Sequence, residues 1–243
     1  MTLFGKLFGA RNRPQEFADP VRAAIARWNA VEPYDFRAPL AAQNWLVVDV
    51  ETTGLDVRQD RLLAIGAVLV QGATLLLDQS FEVVLRQANP SRTDNILIHR
   101  ITGGEQAEGI EPATALAAFL DFSKQLPCVA FHAQFDQAML KRAFEEYLGV
   151  DFSPPFIDLA VLAPALAREA PGSLRSLDDW LTYSSITISA RHRAISDAVG
   201  TAQLFQMLLY RAQAERYNSA DALFKLANDQ RWLEGLNRHQ PGI

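Results

Sequence analysis

The sequence has little of what marks secreted, membrane-spanning or fibrous proteins. Its one cysteine, Cys128, excludes an intrachain disulfide, and the apolar run around it predicts a buried small side chain. No uninterrupted apolar run is long enough to span a bilayer, and the first residues lack the hydrophobic segment of a secretory signal. Internal repeats and low-complexity segments are absent as well. These absences favour a globular protein of the cytoplasm.

Positive charge is also in deficit. The chain has 23 Lys and Arg residues against 28 Asp and Glu residues, which gives a net charge of −5. This balance argues against a protein that coats nucleic acid through a basic surface. It leaves open an enzyme that reaches nucleic acid through a bound metal ion. A length of 243 residues, 49% of them hydrophobic, suits one domain with extensions or two small domains.

Basic residues are missing where two acids interrupt an apolar strand. The run at positions 46–55 predicts a buried strand that ends in a glycine turn, and no Lys or Arg lies between positions 37 and 58. Asp49 and Glu51 are two positions apart, so their side chains share one face of that strand. A divalent cation such as Mg²⁺ would satisfy both carboxylates. The alternative is a strand end whose two acids face water.

The spacing of apolar residues predicts a mixed α/β sheet. Strands at residues 61–70 and 74–85 are separated by a tight turn at Gly72, so with the first strand they form an antiparallel meander. Gly103 and Gly104 predict a break in the chain. Further strands then alternate with helices, which predicts a sheet flanked by helices and leaves its strand order open. We expect three parts: a helical N-terminal extension at 1–39, a main domain at 40–215 and a C-terminal helix at 216–243.

The N-terminal extension has two separate features. Residues 1–14 contain three basic and no acidic residues, and their apolar side chains have helical spacing. They form either an amphipathic segment that touches a membrane surface or a partner, or a frayed terminus. Farther along, the sequence predicts a helix with Asp19 as its N-cap and Pro20 at its first position.

Three more polar residues lie near the starts of predicted helices. Asp136 begins the helix after a fourth predicted strand at residues 128–131. Its carboxylate either interacts favourably with the N-terminal helix dipole or contributes to a site. His192 and Asp197 are five residues apart, which is not a spacing that places both on one helix face. We therefore place Asp197 in the first turn of a long helix and His192 in the loop before it. Taken alone, such a histidine is more often a surface residue than a catalyst.

Together these residues resemble the DEDDh branch of the DnaQ-like 3′–5′ exonucleases, which includes the proofreading subunit of bacterial DNA polymerase. The family motifs are Asp-x-Glu followed by Thr-x-Gly, Phe-Asp at a helix start, and His-x-x-x-x-Asp. In this chain they are residues 49–54, Phe135-Asp136, and His192 to Asp197. Residues 98–102 and 158–163 are similar to two further family segments. The resemblance covers about residues 45–209 and leaves both extensions outside.

The resemblance implies an RNase H-like fold, two metal ions and a set of site residues. The ions, Mg²⁺ or Mn²⁺ at a separation of about 4 Å, would be held by four carboxylates: Asp49, Glu51, Asp136 and Asp197. His192 would take a proton from the attacking water, since imidazole exchanges protons near neutral pH. Further residues would contact the terminal nucleotide: Thr52, Thr53, Leu55, His132 and Phe135. For Phe135, stacking on a base and packing in the core are equally good interpretations.

Two residues depart from the family pattern. His132 replaces an asparagine and Arg100 replaces a glycine, and both changes concern substrate preference. The resemblance implies a metal-dependent 3′–5′ exonuclease that releases nucleoside monophosphates from single-stranded 3′ ends, with DNA as the favoured substrate and a polymerase or repair complex as its partner. Two alternatives stay open: an exoribonuclease or oligoribonuclease with the same site, and a non-catalytic accessory module that binds nucleic acid.

Overall fold

The computed structural model describes residues 17–91, 96, 100–189 and 191–238, with side chains up to residue 233. Within these residues, the strands are β1 (Asn44–Thr52), β2 (Leu62–Gln71), β3 (Thr74–Val84), β4 (Cys128–Ala130) and β5 (Phe156–Asp158). The helices are α1 (Asp19–Asn29), α2 (Gly103–Glu108), α3 (Pro112–Ser123), α4 (Gln134–Leu148), α5 (Leu159–Leu166), α6 (Leu177–Tyr183), α7 (Ala194–Ala214) and α8 (Ala220–Arg238). None of the described helices is long and apolar enough to cross a membrane. The predicted amphipathic segment at residues 1–14, together with Ile98 and His99, lies outside the described residues.

The strands form one mixed sheet in the order β3-β2-β1-β4-β5. β1 pairs with β2, and β2 with β3, in antiparallel fashion, while β4 and β5 run parallel to β1. Gly72 makes the turn between β2 and β3 with a φ of +57°, a conformation that favours glycine. The predicted meander and the mixed sheet flanked by helices are therefore confirmed, and the structure adds the strand order.

Alternate residues of β1 contribute to two hydrophobic cores, one on each face of the sheet. Leu46, Val48 and Val50 belong to a cluster with side chains of α1, α3 and α4. Trp45 and Val47 belong to a second cluster with side chains of α5, α6, α7 and α8. Side chains alternate along a strand, so positions 49 and 51 point to the same face as Trp45 and Val47, which is the face covered by α7.

Two helix starts differ from the expectations. Gly103 begins α2 instead of breaking the chain, because Thr102 and Glu105 form a capping box that satisfies the first backbone N–H groups. Asp19 is the first residue of α1 and not its N-cap, a position that Ala18 occupies. The carboxylate of Asp19 forms an ion pair with Arg22 one turn later.

Helix α1 packs against the main body of the fold. Val21, Ala24 and Trp28 are buried in the same cluster as α3 and α4. The Trp28 ring stacks on the Phe152 ring, with 5.4 Å between the centroids. The division expected between residues 39 and 40 stays a prediction, but α1 lies within a core that it shares with the later helices.

Candidate active site

Three acidic side chains meet at the end of β1. Ligand atoms of Asp49, Glu51 and Asp197 all lie within 4.8 Å of one another. Asp49 and Glu51 share the strand face toward α7, as the alternation of β1 predicts. Asp197 lies in the first turn of α7, as the sequence predicts. Two neighbouring strand positions and one helix terminus therefore form this acidic cluster.

A glycine in β2 lets α7 approach the sheet closely enough to place Asp197. Gly66 is the partner of Asp49 in the register between β1 and β2. A Cβ atom at Gly66 would lie 2.2 Å from backbone atoms of Ala194 and Ile195, in the first turn of α7. This role was not predicted from the sequence, although a lone glycine inside an apolar strand is a known sign of close backbone approach.

Asp136 reaches the same strand from the parallel half of the sheet. It lies in the first turn of α4 and is buried. Its Oδ1 accepts a hydrogen bond from the backbone N–H of Val50, at 3.1 Å, between the two acids of β1. This bond satisfies a strand N–H beyond the β1–β4 pairing, which ends at Val47. Asp136 thus lies next to the acidic cluster, without belonging to the group of three within 4.8 Å.

Burial and mutual repulsion make these carboxylates hard to ionise. Burial is the largest cause that raises the pKa of each one, and it raises the pKa of Glu51 to about 7 and that of Asp136 to about 8. The pKa of Asp49 lies well above its usual range because of burial and the nearby Asp136 carboxylate. The pKa of Asp197 is raised by burial as well. A divalent cation would remove this repulsion and prefers such oxygens, so the residues present fit one.

The loop before α7 holds Asp197 from two sides. The backbone N–H of His192 donates to Asp197 Oδ2 at 3.1 Å. The guanidinium of Arg191 forms ion pairs with Asp197 and with Asp178 of α6. The His192 backbone has a φ of +61° and its side chain is exposed. The structure therefore joins the backbone of His192 to the acidic cluster, and it reveals Arg191, which was not predicted from the sequence.

The turn after β1 projects one apolar side chain into solvent. Thr52 donates to the carbonyl of Gly54 at 2.7 Å, and Thr53 donates to a carboxylate oxygen of Asp60 at 2.8 Å. These bonds hold the turn in place. Leu55, at its tip, is 85% exposed. An apolar side chain so exposed beside a polar cluster is available to contact a ligand.

The two other predicted substrate residues lie after β4. His132 is exposed with a φ of +59°, and its backbone N–H donates to Asp158 Oδ1 at 3.0 Å. The same oxygen accepts from Ala160 N at the start of α5. Phe135 is half-buried and packs against the core cluster on one face of the sheet. Its packing role is thus observed, while a contact with a base stays a prediction.

The sequence of this chain is similar to those of known proteins. The model of the RNase T exonuclease family matches residues 46–205. A DNA polymerase III PolC-type protein of Thermotoga maritima is 33% identical over 166 residues, which are 66% of this chain and 11% of that protein. A DNA polymerase III subunit epsilon-like protein of Rhodobacter capsulatus is 31% identical over 174 residues, which are 70% of this chain and 24% of that protein. This chain therefore corresponds to a small part of each relative.

Solved structures share the fold. Exonuclease X in complex with 5′-overhanging duplex DNA superposes with a TM-score of 0.58 at 20% identity, covering 75% of this chain and 99% of that one. Exonuclease I of E. coli in complex with a dA16 oligonucleotide superposes with a TM-score of 0.62 at 17% identity, covering 75% of this chain and 42% of that one. The sheet described above is thus the RNase H-like sheet of the exonucleases, as the sequence resemblance implies.

Proposed function

The chain belongs to the DnaQ-like exonuclease family, and from this membership we propose that it is a metal-dependent 3′–5′ exonuclease acting on single-stranded 3′ ends. The observation that carries the proposal is the meeting of Asp49, Glu51 and Asp197 within 4.8 Å at the end of the central strand. An acidic protein needs bound cations to approach a polyanion, and this cluster supplies the ligands for them. The products would be nucleoside monophosphates.

Four carboxylates would hold two ions, Mg²⁺ or Mn²⁺: Asp49, Glu51, Asp136 and Asp197. When bound, such ions lower the pKa of a coordinated water and stabilise the charge that develops on the leaving 3′ oxygen. The hydrogen bond from Val50 to Asp136 Oδ1 fixes the orientation of that carboxylate. The bond from His192 N to Asp197 Oδ2 does the same for Asp197. The chain thus orients these two ligands through its backbone.

His192 is the candidate general base. Its backbone N–H donates to Asp197, and its imidazole is exposed, which leaves it accessible to water and substrate. An imidazole can take the proton of the attacking water at neutral pH. The four carboxylates already offer hard oxygen ligands, whereas imidazole suits softer transition metals. We therefore assign His192 to proton transfer and not to metal binding.

The terminal nucleotide would lie between the turn after β1 and the loop after β4. Leu55 is 85% exposed and would contact a base from one side. His132 and Phe135 would contact the nucleotide from the other side, and Thr52 and Thr53 hold the turn. Aromatic and apolar contacts of this kind accept any base, so they suit a nuclease without sequence preference. A polymerase or repair complex as partner, like the cytoplasmic location, stays a prediction.

Matched single-stranded DNA and RNA oligonucleotides, each labelled at the 5′ end, test the proposal. In Mg²⁺ or Mn²⁺ we expect a ladder of products that shorten from the 3′ end, with release of mononucleotides and faster digestion of DNA. Faster digestion of RNA would instead favour the exoribonuclease alternative. A chelator should stop the reaction.

An Asp49→Asn variant is the control for the assignment of the site. This change keeps the shape of the side chain but removes a carboxylate that burial and like charges oppose. We expect a folded protein, no less stable without metal than the wild type, that no longer digests either oligonucleotide. Wild-type digestion by Asp49→Asn would disprove the assignment. Binding of DNA without digestion by the wild-type protein would support the non-catalytic alternative.

A further inference from the structure

Arg191 is a cation placed against the acidic cluster to which the proposed chemistry gives no role. Its guanidinium forms ion pairs with Asp197 through Nη1 and with Asp178 through Nε. The Arg191 side chain is 25% exposed, and both Nη1 and its partner atom Asp197 Oδ1 are buried. A buried charge needs a partner of opposite sign, so Arg191 and Asp197 stabilise each other.

Both carboxylate oxygens of Asp197 already have a partner. Its Oδ2 accepts the His192 N–H, and its Oδ1 faces Arg191. A divalent cation held by Asp49, Glu51 and Asp197 would need an oxygen of Asp197. It would then lie beside the positively charged guanidinium, and two like charges so close in a poorly solvated site repel each other strongly. Metal and guanidinium therefore compete for the same carboxylate.

Asp178 is a second partner that the displaced arginine would retain. Its carboxylate pairs with Arg191 Nε, whereas Asp197 pairs with Nη1. The Asp178 side chain is 56% exposed, so it lies toward solvent, at the rim of the site. When a metal takes Asp197, Arg191 can therefore keep Asp178 as its partner.

We propose that Arg191 is a positioning residue that holds Asp197 in the metal-free protein and yields this carboxylate to the metal while it keeps its ion pair with Asp178. The inference rests on the proposed metal site. Arg191 keeps the cluster ordered before the metal arrives, and the metal must displace it, so Arg191 sets the metal affinity of the site.

The test is isothermal titration calorimetry of the full chain with Mg²⁺ and with Mn²⁺, beside thermal unfolding without metal. Arg191→Gln should bind metal about tenfold more tightly than the wild type, since a competing ion pair is gone. The same variant should unfold at a lower temperature without metal, because Asp197 loses its partner, and saturating metal should raise its Tm by more than that of the wild type. Arg191→Lys should restore part of the wild-type behaviour.

Arg193→Gln is the matched control, because Arg193 lies two residues away and pairs with Glu82 at 2.8 Å instead of with the acidic cluster. It removes the same charge from the same loop and should change metal affinity much less than Arg191→Gln does. If both variants bound metal equally more tightly, the effect would come from net charge alone, and the proposed competition between Arg191 and the metal would be wrong.

Asp178→Asn tests whether Asp178 helps Arg191 to release Asp197. It should weaken metal binding in the wild-type background, because Arg191 would then have no second carboxylate partner when the metal takes Asp197. In the Arg191→Gln background the same change should have little effect, so the double-mutant cycle should show coupling. Unchanged or weaker metal binding by Arg191→Gln would overturn the role of Arg191 and leave the metal site intact. Absence of binding in every protein would overturn the metal site itself.

Discussion

Glu51 shows how the acidic side chains depend on their surroundings. A glutamate ordinarily titrates near 4.5, but burial and the Asp197 carboxylate raise the pKa of Glu51 to about 7. The pKa of Asp136 is raised from 3.8 to about 8, with burial as the largest cause. Such groups prefer the proton in the folded chain, so their negative charges oppose folding when no cation lies beside them.

The metal-free protein should therefore lose stability as the pH rises. Below the unfolded-state values of 3.8 and 4.5, these groups are protonated in both states. Between those values and the raised values of about 7 and 8, the folded chain binds more protons than the unfolded one, so the free energy of unfolding falls with pH. Urea unfolding from pH 4 to pH 9 in a chelator measures this slope.

A Glu51→Gln variant is the control for the pH effect. It removes one of the groups responsible, so its stability should fall less steeply with pH than that of the wild type. Addition of Mg²⁺ should flatten the wild-type curve, because a bound cation favours the ionised carboxylates. An identical slope in Glu51→Gln would mean that Glu51 does not titrate as its environment indicates.

His192→Ala should separate proton transfer from metal binding. The hydrogen bond to Asp197 comes from the backbone N–H at position 192, so alanine retains it. We expect nearly unchanged Mg²⁺ affinity by calorimetry and a rate that falls by roughly 10²- to 10⁴-fold in single-turnover digestion. His132→Ala is the comparison, because its exposed side chain should affect KM more than kcat. Loss of metal binding in His192→Ala would contradict its assignment as a base.

At the scale of elements, the position of α7 depends on the absence of a side chain at Gly66. The backbone of Ala194 and Ile195 occupies the place where a Cβ atom would be. The first turn of α7 therefore lies directly on β2, and Asp197 reaches across to the neighbouring β1. Two elements far apart in the chain are thus joined by a contact that only glycine permits.

Gly66→Ala should consequently damage the site through α7. The new methyl group would push the start of this helix away, which we expect to destabilise the fold by about 1 to 3 kcal/mol. It should also weaken metal binding by separating Asp197 from Asp49. Gly104→Ala is the control, since the nearest atom to its added Cβ is 3.9 Å away. Chemical denaturation and Mg²⁺ calorimetry measure both effects, and wild-type metal affinity in Gly66→Ala would disprove the argument.

At the scale of the whole molecule, the N-terminal helix contributes to stability without contributing to the site. Trp28 is only 7% exposed and stacks on Phe152, on the face of the sheet opposite α7. Trp28→Ala should destabilise the protein by about 3 to 5 kcal/mol, as for other large buried aromatic residues. The rate of digestion well below Tm should stay near that of the wild type.

A chain that starts at Leu40 extends this prediction. It lacks all of α1 but retains every proposed site residue, so hydrolysis should survive at low temperature while Tm falls. Differential scanning fluorimetry and digestion on ice measure the two properties separately. A folded but inactive protein would show that the boundary between residues 39 and 40 is misplaced.

The local part of this site could be predicted from residue spacing. The alternation of a β-strand placed Asp49 and Glu51 on one face, and the start of an amphipathic helix placed Asp197 in its first turn. Both inferences depend on the backbone geometry of a few consecutive residues, which sequence spacing reports directly. Three ordered motifs were also sufficient to indicate the family that the comparisons then showed.

How these parts meet could not be predicted, because it depends on contacts between distant segments of the chain. The bond from Val50 to Asp136 joins residues 86 positions apart, and no local spacing predicts which strand N–H a distant carboxylate will satisfy. The contact of Gly66 with α7 and the pairing of Arg191 with Asp197 and Asp178 depend on the strand order and on how closely α7 packs. Long-range packing sets such distances, because the free energy that selects them comes from the whole core and not from the segment that contains each residue.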